Sequence, residues 1–158
     1  MRWIRFTAAN HTAYGILEGD TIREVAGTPF GETQRTGRTH KLGDVKIELP
    51  AVPPTFYAVG FNYTDHIAKV AARTGNPVDL PTQPDVGYRA NNGLIAHGEA
   101  VVIPKDATDA VQYEGELVVV IGKKARHLTE ANALSCVLGY TIRNAVSERS
   151  WQKSHRPS

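Results

Sequence analysis

The sequence predicts a mixed α+β chain dominated by β-strands, and three observations carry that prediction. Short segments with alternating apolar residues recur, from Trp3-Ile-Arg-Phe6 to the long run Tyr113–Ile121. Turn chemistry separates them, with Glu18-Gly-Asp20 a clear tight-turn signal between two short strands. Helical spacing extends over only one longer stretch, Tyr63–Arg73, where Ile67, Val70 and Ala71 share a face.

In chain order, residues 1–50 read as a small N-terminal β domain. Trp3–Phe6 alternates, His11–Leu17 follows a polar break, and Thr21–Val25 follows the turn. Residues 27–44 carry Gly, Thr, Pro and charge with little periodicity and read as loop. Val45–Leu49 resumes strand alternation, and Pro50, Pro53 and Pro54 punctuate the boundary to a second region, 51–158. There Thr55–Val59 has a buried-strand pattern ending at Gly60, and the helix follows. Pro77, Pro81 and Pro84 make 75–85 an irregular loop. Strands are expected around Val86–Arg89, around Ala100–Ile103 and, most clearly, over Tyr113–Ile121, which Gly122 ends. Thr129 reads as the N-cap of a short helix with an acidic first turn. Leu138–Ile142 is a further strand, and Val146–Lys153 begins a polar helix or turn. A strand-rich sheet that stops there leaves unpaired edges, so the second region is expected to be truncated or completed by another chain.

Length and composition narrow the function classes. At 158 residues the chain suffices for one domain with a core and is short for two. Apolar residues make up 41% and charged residues 22%, which is ordinary globular usage. A net charge of +2 without any long Lys/Arg run argues against a nucleic-acid partner. Lys123, Lys124 and Arg126 read as a solvated turn. No stretch approaches the roughly 18 uninterrupted apolar residues of a membrane span. The first residues lack the apolar run of a signal peptide. The lone Cys136 cannot form an internal disulfide, sits in apolar surroundings as an inert core thiol, and fits a reducing, cytoplasmic location.

The most informative chemistry is Glu114-Gly-Glu116. On a strand, residues i and i+2 point to one face, so both carboxylates converge, and Gly115 leaves room opposite. Two like charges so close favour a divalent cation, and oxygen-only ligands suit a hard one such as Mg²⁺, Mn²⁺ or Ca²⁺. The same spacing also fits an exposed glutamate pair on an open sheet face. His66, near a helix start, is a candidate general base or a capping histidine. Asp65 reads as a first-turn residue favoured by the helix dipole. Arg89 has the planar fork that suits a substrate carboxylate, and it equally fits a solvent-facing strand position.

In combination and order these residues resemble one family. Gly60-Phe-Asn62-Tyr63-Thr-Asp65-His66 is similar to the Gly-x-Asn-Tyr-x-x-His segment of fumarylacetoacetate hydrolase relatives. The run Tyr113-Glu-Gly-Glu-Leu-Val-Val-Val-Ile-Gly-Lys123 resembles their Tyr-Glu-Gly-Glu-Leu signature. The segment from Gly139 through Asn144, Ala145, Ser147 and Arg149 resembles their Gly-Tyr-x-x-x-Asn-Asp-Val-Ser-x-Arg. The resemblance runs from about residue 55 onward. It implies a β-roll with a small N-terminal β domain and a homodimer. It also implies Mg²⁺ or Mn²⁺ held by Glu114, Glu116 and a third carboxylate, acting as Lewis acid on a small oxo-acid. His66 would then be the base, with Asn62, Tyr63 and Arg89 binding substrate.

The chain departs from the family pattern at identifiable positions. Ala145 stands at the third metal carboxylate, which should weaken a hard-cation site, because water fills coordination but not charge. Lys69 stands where several members carry a Glu that orients the His, and Arg89 where a Lys is common. Two readings result. The first is a metal-dependent hydrolase cleaving a carbon–carbon bond in an acylpyruvate-type substrate, with oxo-acid decarboxylation or isomerisation as the close alternative. The second is a subunit that keeps the fold without the metal, whether through a natural or an engineered change at Ala145.

Overall fold

The computed structural model describes residues 1–154. The chain divides into two compact units, residues 1–51 together with residues 96 onward, and residues 52–95. The first unit begins with a five-stranded sheet. Its strands are β1 (Trp3–Ala8), β2 (His11–Glu18), β3 (Thr21–Gly27), β4 (Thr33–Lys41) and β5 (Lys46–Ile47), in the order β4-β3-β2-β1-β5. Neighbouring strands of the sheet pair antiparallel, as the alternation and the Glu18-Gly-Asp20 turn lead one to expect.

The inward face of this sheet buries Ile4, Phe6 and Ile22, with Leu17, Leu42, Val45 and Ile47 packed against them. Phe6 and Ile22 are fully buried. Gly15 lets β2 approach that core closely. A Cβ there would lie 2.4 Å from the Ile22 side chain and 2.9 Å from the Arg23 carbonyl.

Strand β4 corrects the expectation of a loop over 27–44. Its nine residues are almost all polar and exposed, so they show no apolar period. Pairing with β3 makes the strand, and Glu24 anchors it. The Glu24 side chain is buried, accepting bonds from Arg38 of β4 and lying 2.9 Å from His40 Nε2.

The remainder of the first unit holds β8 (Val111–Gln112), β9 (Gly115–Ile121), β10 (Val137–Asn144), β11 (Ser147–Glu148) and α2 (Arg149–Ser154). Strands β9 and β10 pair antiparallel as a two-stranded ribbon, and β8 pairs with β11. The expected short helix after Thr129 is 3-10 in form over Glu130–Cys136, opened by Asn132 Oδ1 accepting from the Thr129 amide at 2.8 Å. Cys136 is buried. Residues 100–103 are not in a strand, contrary to expectation. Val101, Val102 and Ile103 are exposed, and β propensity without a paired edge does not make a strand.

The second unit contains β6 (Phe56–Gly60), α1 (Thr64–Thr74) and β7 (Asp85–Arg89), with β6 and β7 antiparallel. Strand β6 is half-exposed rather than buried, with Tyr57 and Val59 open to solvent. Helix α1 buries Ile67 and Ala71 and ends at Gly75, whose left-handed φ of 71° closes a backbone bond to the Ala71 carbonyl.

Candidate active site

The glutamate pair sits where the chain enters β9. Glu114 immediately precedes the strand and Glu116 is its second residue. Register places Arg143 of β10 directly opposite Glu116, and the Arg143 Nε donates to Glu116 Oε2. Arg149, the first residue of α2, lies 2.6 Å from Glu114 Oε1 through its Nη2. Each carboxylate thus faces its own guanidinium.

The Asn144-Ala145 turn closes on the same place. The Glu114 amide donates to Asn144 Oδ1 at 3.1 Å, and the Ala145 amide donates to the Glu114 carbonyl at 2.8 Å. Position 145 therefore stands beside the Glu114 main chain, and a methyl group occupies it. This donor set does not fit the three-carboxylate hard-cation site that the resemblance implies. Two carboxylates are committed to arginines, the third position offers no oxygen, and no group of three His, Cys, Asp or Glu is placed to hold a metal among the described residues.

Arg149 is itself well positioned. Its amide donates to the Ala110 carbonyl at 3.1 Å, and its Nε donates to Gln112 Oε1 at 3.2 Å. Next to it, Glu148 caps α2, accepting from the Ser150 hydroxyl at 2.6 Å, the Trp151 amide at 2.8 Å and the Thr108 hydroxyl. The bonds from Ser150, first, and from Thr108 hold its carboxyl down to about 2.

The other candidates lie in the 52–95 unit. Asn62, Tyr63 and His66 gather at the β6–α1 junction, with Tyr63 at the N-cap position and His66 in the first helical turn. All three are exposed, and the His66 ring lies 6.4 Å from the Phe61 ring. Phe61 takes a left-handed φ of 47°, which turns the chain from strand to helix. Lys69, one turn on, shares the His66 side of the helix by i, i+3 spacing. Arg89 ends β7 opposite Phe56, whereas the junction adjoins Gly60, which is opposite Asp85. Four strand residues, about 13 Å, separate the two ends of that hairpin. The structure thus brings Asn62, Tyr63 and His66 together and sets Arg89 apart from them.

Sequence reasoning singled out the glutamates and missed their partners. Arg143 carries no motif of its own, and Arg149 belongs to the family segment that ends Ser-x-Arg without that segment naming its partner. The β9–β10 register that pairs Arg143 with Glu116 becomes visible only once Gly115 is set opposite Asn144.

Residues 55–158 match the family described as fumarylacetoacetate (FAA) hydrolase C-terminal, and residues 1–50 match Rv2993c-like, N-terminal. The chain belongs to the fumarylacetoacetate hydrolase family, and the structure is β-rich with the family's N-terminal sheet. Protein Rv2993c of Mycobacterium tuberculosis is 34% identical over 98% of this chain and 58% of its own length. A 2,4-didehydro-3-deoxy-L-rhamnonate hydrolase of Sphingomonas is 34% identical over 97% of this chain and 55% of its own. The crystal structure of 5-carboxymethyl-2-hydroxymuconate delta-isomerase from Mycobacterium smegmatis superposes with a TM-score of 0.83 at 33% identity. It covers 98% of this chain and 58% of that protein. The chain thus spans somewhat over half the length of these relatives. Family members are enzymes of isomerase, decarboxylase and hydrolase type. No described helix is long and apolar enough to cross a membrane.

Proposed function

We propose that this chain serves proton-transfer chemistry on a small enolisable oxo-acid, with isomerisation as the first reading and carbon–carbon hydrolysis as the second. The observation that supports isomerisation most is the glutamate pair locked by Arg143 and Arg149 beside Ala145. Hydrolysis of a 1,3-dicarbonyl must stabilise a departing enolate as well as activate water, and this donor set gives a hard cation no firm seat for that task. Isomerisation also passes through an enolate, but it activates no water and expels no fragment, so it asks less of the site.

His66 is suited to that step. A neutral imidazole at an exposed helix start can take the proton from the carbon next to the keto group and return it further along the conjugated chain. Tyr63 and Asn62 at the same junction offer hydrogen bonds to the keto acid. Arg89, at the other end of the β6–β7 hairpin, suits the distant carboxylate of an extended diacid. The hydrolase relative, alike over nearly the whole chain, is what favours the second reading. The reading includes a homodimer and a cytoplasmic location, with no nucleic-acid or membrane partner.

The test is a panel of a hydroxymuconate-type enol diacid and an acylpyruvate, followed by ultraviolet absorbance and product identification by NMR. Isomerised diacid, formed faster than in buffer and slowed about 100-fold or more in His66→Ala, is the expected result. Cleaved acylpyruvate would move the assignment to hydrolysis. Neither product from folded protein would leave the reading of a fold kept without turnover.

A further inference from the structure

We infer that Arg143 and Arg149 take the place of the cation in this chain, making Glu114 and Glu116 a metal-free ion-pair cluster that joins β9 to β10 and α2. Two carboxylates meet two guanidiniums, so the local charge is balanced without any ion. A divalent cation entering here would have to break the 2.6 Å Glu114–Arg149 contact. It would also sit beside two positive groups, with one anionic ligand fewer than the family pattern provides. The arrangement is built rather than incidental. Arg143 is brought opposite Glu116 by strand register, with its side chain largely buried. The Arg149 guanidinium is aimed by Gln112 of β8 and by the start of α2, which Glu148 caps.

Ala145 is the complementary half of the same change. Its amide is bonded to the Glu114 carbonyl, so the position adjoins the Glu114 main chain. An aspartate there would add a third negative charge that the two arginines cannot balance, whereas alanine leaves the cluster neutral. The preference for isomerisation rests on the same cluster, but the readouts here are metal uptake and stability, so failure of either reading shows separately.

The experiment is a calorimetric titration of Mn²⁺ into the chelator-treated full chain, with thermal unfolding measured with and without the metal. No saturable uptake below about 1 mM is expected, and the melting temperature should ignore Mn²⁺ and chelator alike. Arg149→Gln should lower the melting temperature only slightly, since water solvates the part-exposed Glu114 once its partner is gone. The double variant Ala145→Asp with Arg149→Gln should gain Mn²⁺ affinity by about tenfold or more. Saturable uptake by the unaltered chain that Glu114→Gln removes would overturn the inference. A folded double variant that gains no Mn²⁺ affinity would also overturn it, by showing that Arg149 is not the competitor.

Discussion

The N-terminal sheet and the β9–β10 ribbon are written in the same alternating code and reach different ends. In the sheet, Ile4, Phe6 and Ile22 turn to one face and are buried. In the ribbon, Leu117, Val119 and Ile121 alternate just as cleanly, with Tyr140 and Ile142 opposite, and all five side chains are exposed. The difference lies in what covers the face. Leu17 of β2, Leu42 and Val45 of the β4–β5 connection and Ile47 of β5 pack against the sheet core. The ribbon's inner side instead holds the Glu116–Arg143 pair, Val118 and Val120 at partial burial. Alternation specifies a strand, and a second layer is what makes one of its faces a core.

The largest effect should come from the sheet. Phe6→Ala removes a fully buried ring at the centre of that core, and is expected to cost about 3–5 kcal/mol in denaturant unfolding. Ile142→Ala, at 83% exposure, should change stability by no more than about 0.5 kcal/mol. Comparable losses at both positions would break the comparison by showing that the ribbon is covered in solution.

A smaller effect attaches to the sheet's one buried carboxylate. Burial alone would raise the Glu24 carboxyl, yet bonds from His40 and Arg38 outweigh it and hold the group below its ordinary 4.5. The folded state then binds that proton less readily than the unfolded chain. The stabilisation is complete above about pH 4.5 and is lost as pH falls through the lower folded value. Glu24→Gln should cost about 1–3 kcal/mol near neutrality and flatten the acid limb of a stability–pH curve. An unchanged acid limb would detach Glu24 from β4 and leave that polar strand without its anchor.

How far the sequence could be read follows the same division. Strands β1, β2, β3, β9 and β10 were legible because alternation and turn residues act locally, and α1 because Ile67 and Ala71 sit one turn apart. Strand β4 was not, since a polar edge strand owes its existence to the neighbour it pairs with. Val101–Ile103 erred the other way, with local propensity that found no partner. At the candidate site, Glu114-Gly-Glu116 announced itself by spacing, and Ala145 by its departure from the family pattern. Arg149 was visible within the family segment, but its pairing with Glu114 and that of Arg143 with Glu116 stayed hidden, because those contacts span 27 residues and more.

The smallest expected change in stability is the sharpest probe of the ribbon. Ile142→Lys places a charge at the most open position of its apolar face, opposite Leu117. If that face is bare in solution, unfolding should shift by no more than about 0.5 kcal/mol. Contiguous exposed apolar surface of this kind drives association, so light scattering should show the unaltered chain self-associating and the lysine variant less so. A variant that unfolds readily would mean instead that Ile142 is buried against another copy. The ribbon would then be an interface, and its exposed alternation would find in a second chain the layer that the N-terminal sheet finds within its own.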